Sequence, residues 1–322
     1  MGLIENPKTY KGRELETIFF RPMFSAENAE QLGIRVLYNM PVPTTIQLWS
    51  PHNDILQEYA PGWNGGSSAN RFQKQIELTK VKAEVGFSAS EYFNQVYELI
   101  TGRADVNLDD LTGSELEQAE TEMFRAAIAE SLRVSMWIGD VESDIYNKFD
   151  GLLVKILTDD DVVHIDFPSV EISPESILTI LNRMWTESSP ELKALKSEGN
   201  LVFLVTSNVY DAYEQYLDSC GADAAYNDLS TGRRELSFHG IKLIDMGISQ
   251  YLPAERIGNS DYCILTDRRN LVMAVNTADY PGSEVRMWYN PDEMENRQRA
   301  TFMVGCEILD EELLVFADFA NN

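Results

Sequence analysis

The chain has 322 residues, 44% of them hydrophobic and 24% charged, the proportions of a folded protein able to bury a sizeable core as one large domain or two. Asp and Glu number 52 against 26 Lys and Arg, a net charge of −26, which argues against nucleic-acid binding as the main task because phosphate contacts need clustered cations. Cys220, Cys263 and Cys306 are odd in number and widely spaced without a CxxC, so neither a disulfide framework nor a zinc site is indicated, and no run reaches the 18 apolar residues of a membrane span.

Residues 1–33 read as an arm. Its one sticky cluster holds Ile18, Phe19, Phe20, Met23 and Phe24 around Pro22, too short to form a core of its own. Those side chains need a surface on this subunit or on another, and both remain open. Residues 34–85 form a long excursion. A strand over 44–49, ending at Trp49, leads to a turn-rich tip with Pro61, Gly62, Trp63, Gly65 and Gly66. The return runs from Phe72 to Val85, with Lys74, Lys80 and Lys82 along it, and its apolar alternation changes phase near Thr79, as a bend or bulge causes. Two long strands with few core residues describe a protruding hairpin, which is poorly stable alone and is expected to lie across a neighbour.

Residues 88–102 are expected to be helical, with Tyr92, Phe93, Val96, Tyr97 and Ile100 on one side. The longest element is expected over 114–138. Ser114 and Glu117 make a capping box, no proline or glycine interrupts the following positions, and Gly139 is expected to end the helix by taking positive φ. About 25 helical residues span roughly 37 Å. Phe124, Ile128, Leu132 and Met136 form its buried row, flanked by Met123 and Ala127, while Gln118, Glu122, Arg125 and Arg133 face water. Residues 141–153 read as a tight link.

From about 170 helices and strands alternate. Ser173 and Pro174 are expected to open a helix. The continuous apolar run 201–205 is expected to be a strand buried on both sides, and Ser207 to cap a helix carrying Tyr210, Tyr213 and Tyr216, whose spacing favours packing over ligand stacking. Further strands are expected at 235–245, 261–267, 270–276, 285–290, 301–309 and 313–319.

Catalytic signals are sparse. There is no phosphate loop, GxSxG, HExxH or EF-hand pattern. His52, His164 and His239 stand apart, and His164 reads as a strand histidine. Asp159, Asp160 and Asp161 could bind a divalent cation, but such a run more often forms a solvated turn. The chain is not expected to be an enzyme, and no catalytic, metal or cofactor residue is assigned.

The arm, the loop returning over 72–85, the long helix ending at Gly139 and Asp140, and the Gly151-Leu152-Leu153 segment together resemble the tailed-bacteriophage major capsid protein family, the Hong Kong 97-like fold. The 201–213 strand and helix, the 236–244 segment around Gly240, and 299–305 extend the similarity over nearly the whole chain. The resemblance implies an α+β fold with an N-terminal arm (1–33), an extended loop (34–85), a peripheral domain with a spine helix (86–169 plus 286–322) and an axial domain (170–285). It implies a structural protein that self-assembles as hexamers and pentamers into an icosahedral head enclosing double-stranded DNA without sequence-specific binding. The implied partners are its own copies, a separate scaffolding protein (the arm begins at Met1), a portal and a decoration protein. The implied location is the virion capsid, assembled in the bacterial host cytoplasm without a membrane. Phe19, Phe20, Met23, Phe24, Trp49, Trp63, Phe72, Lys74 and Lys80 are the expected assembly contacts. The alternatives are an encapsulin-type shell housing cargo enzymes, which the arm disfavours, and an acidic cytosolic metal-dependent α/β enzyme using Asp159, Asp160 and Asp161.

Overall fold

Alternating apolar residues in the second half of the chain build two six-stranded sheets, and one long amphipathic helix lies against them both. The structure is a computed structural model and describes residues 8–21, 34–39, 44–50, 61, 70–88, 115–167, 170–220, 235–252, 261–276, 284–293 and 295–319. Of the helix expected at 88–102 only Ser88 is described, and it ends a strand; residues 89–102, Ser114 of the capping box and Trp63 of the loop tip lie outside the described residues.

The strands are β1 (Lys8–Tyr10), β2 (Arg35–Tyr38), β3 (Thr44–Ser50), β4 (Asn70–Ile76), β5 (Thr79–Ser88), β6 (Val163–Asp166), β7 (Leu201–Val205), β8 (Ser237–Phe238), β9 (Ile241–Asp245), β10 (Tyr262–Asp267), β11 (Leu271–Asn276), β12 (Glu284–Asn290), β13 (Glu295–Ile308) and β14 (Leu314–Asp318). The helices are α1 (Gly12–Leu15), α2 (Glu115–Ile138), α3 (Leu152–Thr158), α4 (Ile177–Glu187), α5 (Pro190–Ala194) and α6 (Ser207–Ser219).

The first sheet runs β1-β12-β13-β11-β2, with β5 also paired to the long β13. The second runs β6-β14-β10-β7-β9-β8. Sheet membership crosses the chain segments: β14 and β6 pair with each other and complete the second sheet beside β10, while β11 and β2 lie in the first.

The second sheet is the middle layer of the molecule. Side chains alternate across a strand, so Val202, Leu204, Ile264 and Phe316 join the core under α2, and Phe203, Val205, Leu265 and Val315 join a second core under α4 and α6. The run 201–205 is buried on both faces, as its composition requires. Tyr213 lies in that second core and donates its hydroxyl to Ser237 O at 2.8 Å, so the tyrosine stripe is a packing stripe. Helix α4 starts at Ile177, later than Ser173 suggests, yet the Ser173 hydroxyl accepts the Ser176 N–H and closes the preceding turn. Ser207 is the first residue of α6 and not its cap. Thr206 holds the cap position and its hydroxyl goes to Asp261 at 2.9 Å.

Helix α2 buries the row Phe124, Ile128, Leu132 and Met136 as its periodicity requires. Met123 and Ala127 remain exposed, and the inner flank is Ala129. Beyond Arg133 the helix is buried all round, from Val134 to Ile138, because it passes between the two sheets. Gly139 ends it for a reason other than positive φ, a conformation found only at Gly199, Gly240 and Gly247 among the described glycines. A Cβ on Gly139 would lie 2.4 Å from both Phe149 O and Ser135 O, and one on Gly151 2.7 Å from Trp137 O. Two backbones touch here, and only glycine lets them. After this contact Leu152–Thr158 forms α3, a helix that begins inside the stretch read as a link, 141–153, and continues past it. Leu152, Leu153 and Ile156 are fully buried.

Candidate assembly surfaces

The described part of the arm, residues 8–21, packs on its own chain. Leu15 closes α1, and a π turn over Glu16–Phe20 follows, so that Leu15, Glu16, Phe19 and Phe20 share one buried side. Phe20 meets Phe302 edge-on at 4.9 Å and Phe19 lies 5.3 Å from Tyr10. Glu16 is buried, its charge compensated by Arg21 at 2.6 Å, and the Asn39 amide donates to its other carboxylate oxygen. β1 adds an edge strand to β12. Phe19 and Phe20, expected as contacts to a neighbour, are therefore buried within one subunit in this structure. Met23 and Phe24 lie outside the described residues.

The hairpin is β3 and β4, which pair only with each other from Thr44↔Ile76 to Ser50↔Asn70 among the described residues. Trp49 and Phe72 lie in these strands, and their side chains are outside the described set. The root is a small core of its own, in which Ile76 packs with Val272, Ala274 and Leu309. Lys74 pairs with Glu311 there. Burial pulls the Lys74 ammonium down, but the hydrogen bond and charge of Glu311, with Glu307 and Asp159 behind it, leave it raised. Gln73 and Gln75 are exposed above this root. The bend expected near Thr79 is present: β4 ends at Ile76 and β5 begins at Thr79. β5 then pairs with β13 over ten positions, leaving Lys80, Lys82 and Glu84 exposed.

Arg133, read from sequence as a solvent-facing residue, clamps α2 to the second sheet. Its guanidinium donates to Gly247 O at 2.8 Å and to both carboxylate oxygens of Glu130, whose Oε1 also accepts from Tyr251. Gly247 has φ of +63° and ends the strand β9 in a turn that an L side chain would strain. The sequence carries no signal for this clamp, because Arg133 and Gly247 are 114 positions apart. Arg133 holds the Glu130 carboxyl below its ordinary range, against desolvation and with help from Tyr251. A depressed folded-state pKa gives stability that is present above the unfolded value and lost as pH falls through the folded one. Glu130→Gln is thus expected to destabilise by under about 1 kcal/mol near neutral pH, since Glu130 is 43% exposed. The deficit should shrink as pH falls below the unfolded carboxyl value and through the lower folded one. Urea titrations from neutral to acid pH measure it, and a loss that does not change with pH would assign the effect to packing.

The acidic run does not converge. Asp159 Oδ1 accepts the Asp161 N–H at 3.0 Å and closes a solvated turn at an open depression of about 470 Å³, shared with Lys155 and Glu307. Among the described residues no group of three or more His, Cys, Asp or Glu side chains could hold a metal ion. His164 lies on β6 against Phe316, its Nε2 3.2 Å from Asp159 O. Cys263 and Cys306 are buried; desolvation pushes both thiols up, Cys306 to about 12, and Cys220 is exposed. No helix among the described residues is long and apolar enough to cross a membrane.

No protein-family model and no curated protein matches the sequence. Solved structures do match the fold. A chain of the satellite phage P4 procapsid that includes size determination (Sid) protein is 9% identical, with a TM-score of 0.59 over 94% of this chain and 98% of that one. A chain of Gordonia phage Cozz is 12% identical, with a TM-score of 0.54 over 91% and 86%. The capsid of cyanophage P-SCSP1u gives 11% identity and a TM-score of 0.52 over 92% and 89%. At such identities the likeness is one of fold.

Proposed function

We propose that this chain, whose α+β fold is the Hong Kong 97-like fold of tailed-bacteriophage major capsid proteins, is the major capsid protein of a tailed double-stranded DNA phage or prophage. Its copies would form hexamers and pentamers and close into an icosahedral head around the genome. The observation that carries this reading is the hairpin β3–β4, which has a root core of four buried residues and pairs with no other strand among the described residues. A two-stranded ribbon is marginal in water alone, and a neighbouring subunit would supply the missing surface. Closed symmetric assembly provides such neighbours to every copy at once.

In this reading the β3–β4 hairpin, within residues 34–85, reaches over the adjacent subunit, while β2 and β5 at the two ends of that span stay in the subunit's own first sheet. Residues 86–169 with 286–322 form the peripheral unit around the spine α2, and 170–285 form the axial unit, its sheet completed by β6 and β14. The net charge of −26 suits a wall that encloses DNA without gripping it. Scaffolding, portal and decoration proteins would be separate partners.

Negative-stain microscopy with light scattering on the purified protein, at rising concentration, tests the proposal. Shells or ring-shaped capsomers are the expected result, and particles recovered from the host should contain double-stranded DNA. A strictly monomeric protein at every concentration would overturn it, and a co-purifying cargo enzyme inside the shells would move the assignment to an encapsulin.

A further inference from the structure

Two exposed features of the chain are complementary and cannot meet within one copy. The first is the loop over residues 140–150, which follows α2. It carries Asp140, Glu142, Asp144 and Asp150 against one lysine, Lys148, and presents Val141 and Ile145, 55% and 63% exposed. The loop is rigid. Asp150 Oδ1 accepts the Val141 N–H at 3.0 Å, Asp140 Oδ1 accepts the Glu142 N–H at 2.8 Å, and the Gly139–Gly151 backbone contact closes its base. Glu142 and Asp144 have no cation partner among the described residues.

The second feature is the outer face of the first sheet. Arg286 on β12 stands directly opposite Arg299 on β13, a like-charged cross-strand pair that is unfavourable without an anion. Both guanidinium groups lie over Trp288, at 5.4 and 5.7 Å from its ring. Arg299 reaches Glu284 at 3.2 Å, but its Nε is buried without an acceptor. Arg286 is exposed and has no carboxylate partner among the described residues, in a chain with twice as many acids as bases.

Met287, between Arg286 and Trp288, points inward and meets Thr121 of α2 at 3.6 Å. Thr121 is 18 residues before Gly139, roughly 27 Å along the helix axis. The acidic loop and the arginine pair are therefore far apart along the spine, and the arginines lie on the sheet face turned away from it. We infer that the loop 140–150 of one copy docks on the Arg286–Trp288–Arg299 face of a second copy, an inference that rests on the shell-forming function proposed above. Arg299 already has Glu284, and Glu84 of β5 stands opposite it, so Glu142 and Asp144 supply the carboxylate that Arg286 lacks, and Val141 and Ile145 cover the Trp288 ring. The contact joins unlike surfaces, a head-to-tail arrangement that closes into a ring when the rotation between copies divides a full turn.

The test compares assembly of the full-length wild type, Glu142→Lys with Asp144→Lys, Arg286→Glu, and all three changes together. Each one-sided reversal is expected to lower the assembled fraction at least tenfold and the combined swap to recover most of it. Every substituted side chain is exposed, and thermal melts establish that the subunits fold. In a second measurement, Ser143→Cys in the loop with Asn290→Cys, which shares the Arg286 and Trp288 face of β12, in a Cys220→Ser background is oxidised after assembly. A ladder of covalent multimers is expected from assembled protein and none from separated subunits. Reversals that assemble like wild type, or shells that give no ladder, overturn the inference and leave the capsid function standing. A wild type that never assembles overturns both.

Discussion

Phe20→Ala is expected to lower the stability of the unassembled subunit by about 3–5 kcal/mol, the range for truncating a buried aromatic side chain. Phe20 is 1% exposed, lies edge-on to Phe302, and belongs to the core that α2 shares with both sheets. The π turn that places it also buries Phe19 against Tyr10, so losing one ring loosens the whole arm. Denaturant unfolding of the separated subunit is the deciding measurement, because it removes any contribution from neighbours. If Phe20 were a contact between subunits, the truncation would leave that midpoint unchanged and impair assembly alone.

The second large effect is expected at Gly305→Ala. Gly305 lies on β13 where the hairpin strand β4 gives way to β5, and an added Cβ would stand 2.0 Å from Glu77 O and 3.1 Å from Glu77 C. The obstacle is backbone, held between Ile76 in its root core and Thr79 in register with Val304. It cannot rotate away as a side chain would. The loss is expected to exceed about 3 kcal/mol, at the upper end of overpacking penalties. It should also free the root of the hairpin, so trypsin would cut faster between Lys74 and Lys80 in the variant. An unfolding midpoint within about 0.5 kcal/mol of wild type, the scatter of an ordinary surface change, would show that the junction yields and that the bend is not locked by this contact.

These two positions also separate what local sequence can say from what it cannot. The row Phe124, Ile128, Leu132 and Met136, the doubly buried run 201–205 and the phase change near Thr79 are periodicities, set within a few residues, and the structure reproduces each. The resemblance to a capsid fold came from the order of such elements along the chain. The same local reading gave Gly139 to a left-handed turn, kept Arg133 in solvent and passed over α3. In each case the deciding partner is remote: Phe149 O for Gly139, Gly247 O for Arg133, and the core beneath the sheets for Leu152, Leu153 and Ile156.

The sequence by itself determined the spine, the strand pattern, the acidic surface and the need of an arm and a hairpin for something to lie on. Only the tertiary structure decided that Phe19 and Phe20 of the arm find their surface within their own chain, while the hairpin is rooted in a small core and, among the described residues, pairs otherwise with itself. The physical reason is that hydrophobic burial is non-directional. A cluster such as Phe19 and Phe20 states that it must leave water, but which surface covers it depends on where the fold brings Phe302 and Tyr10.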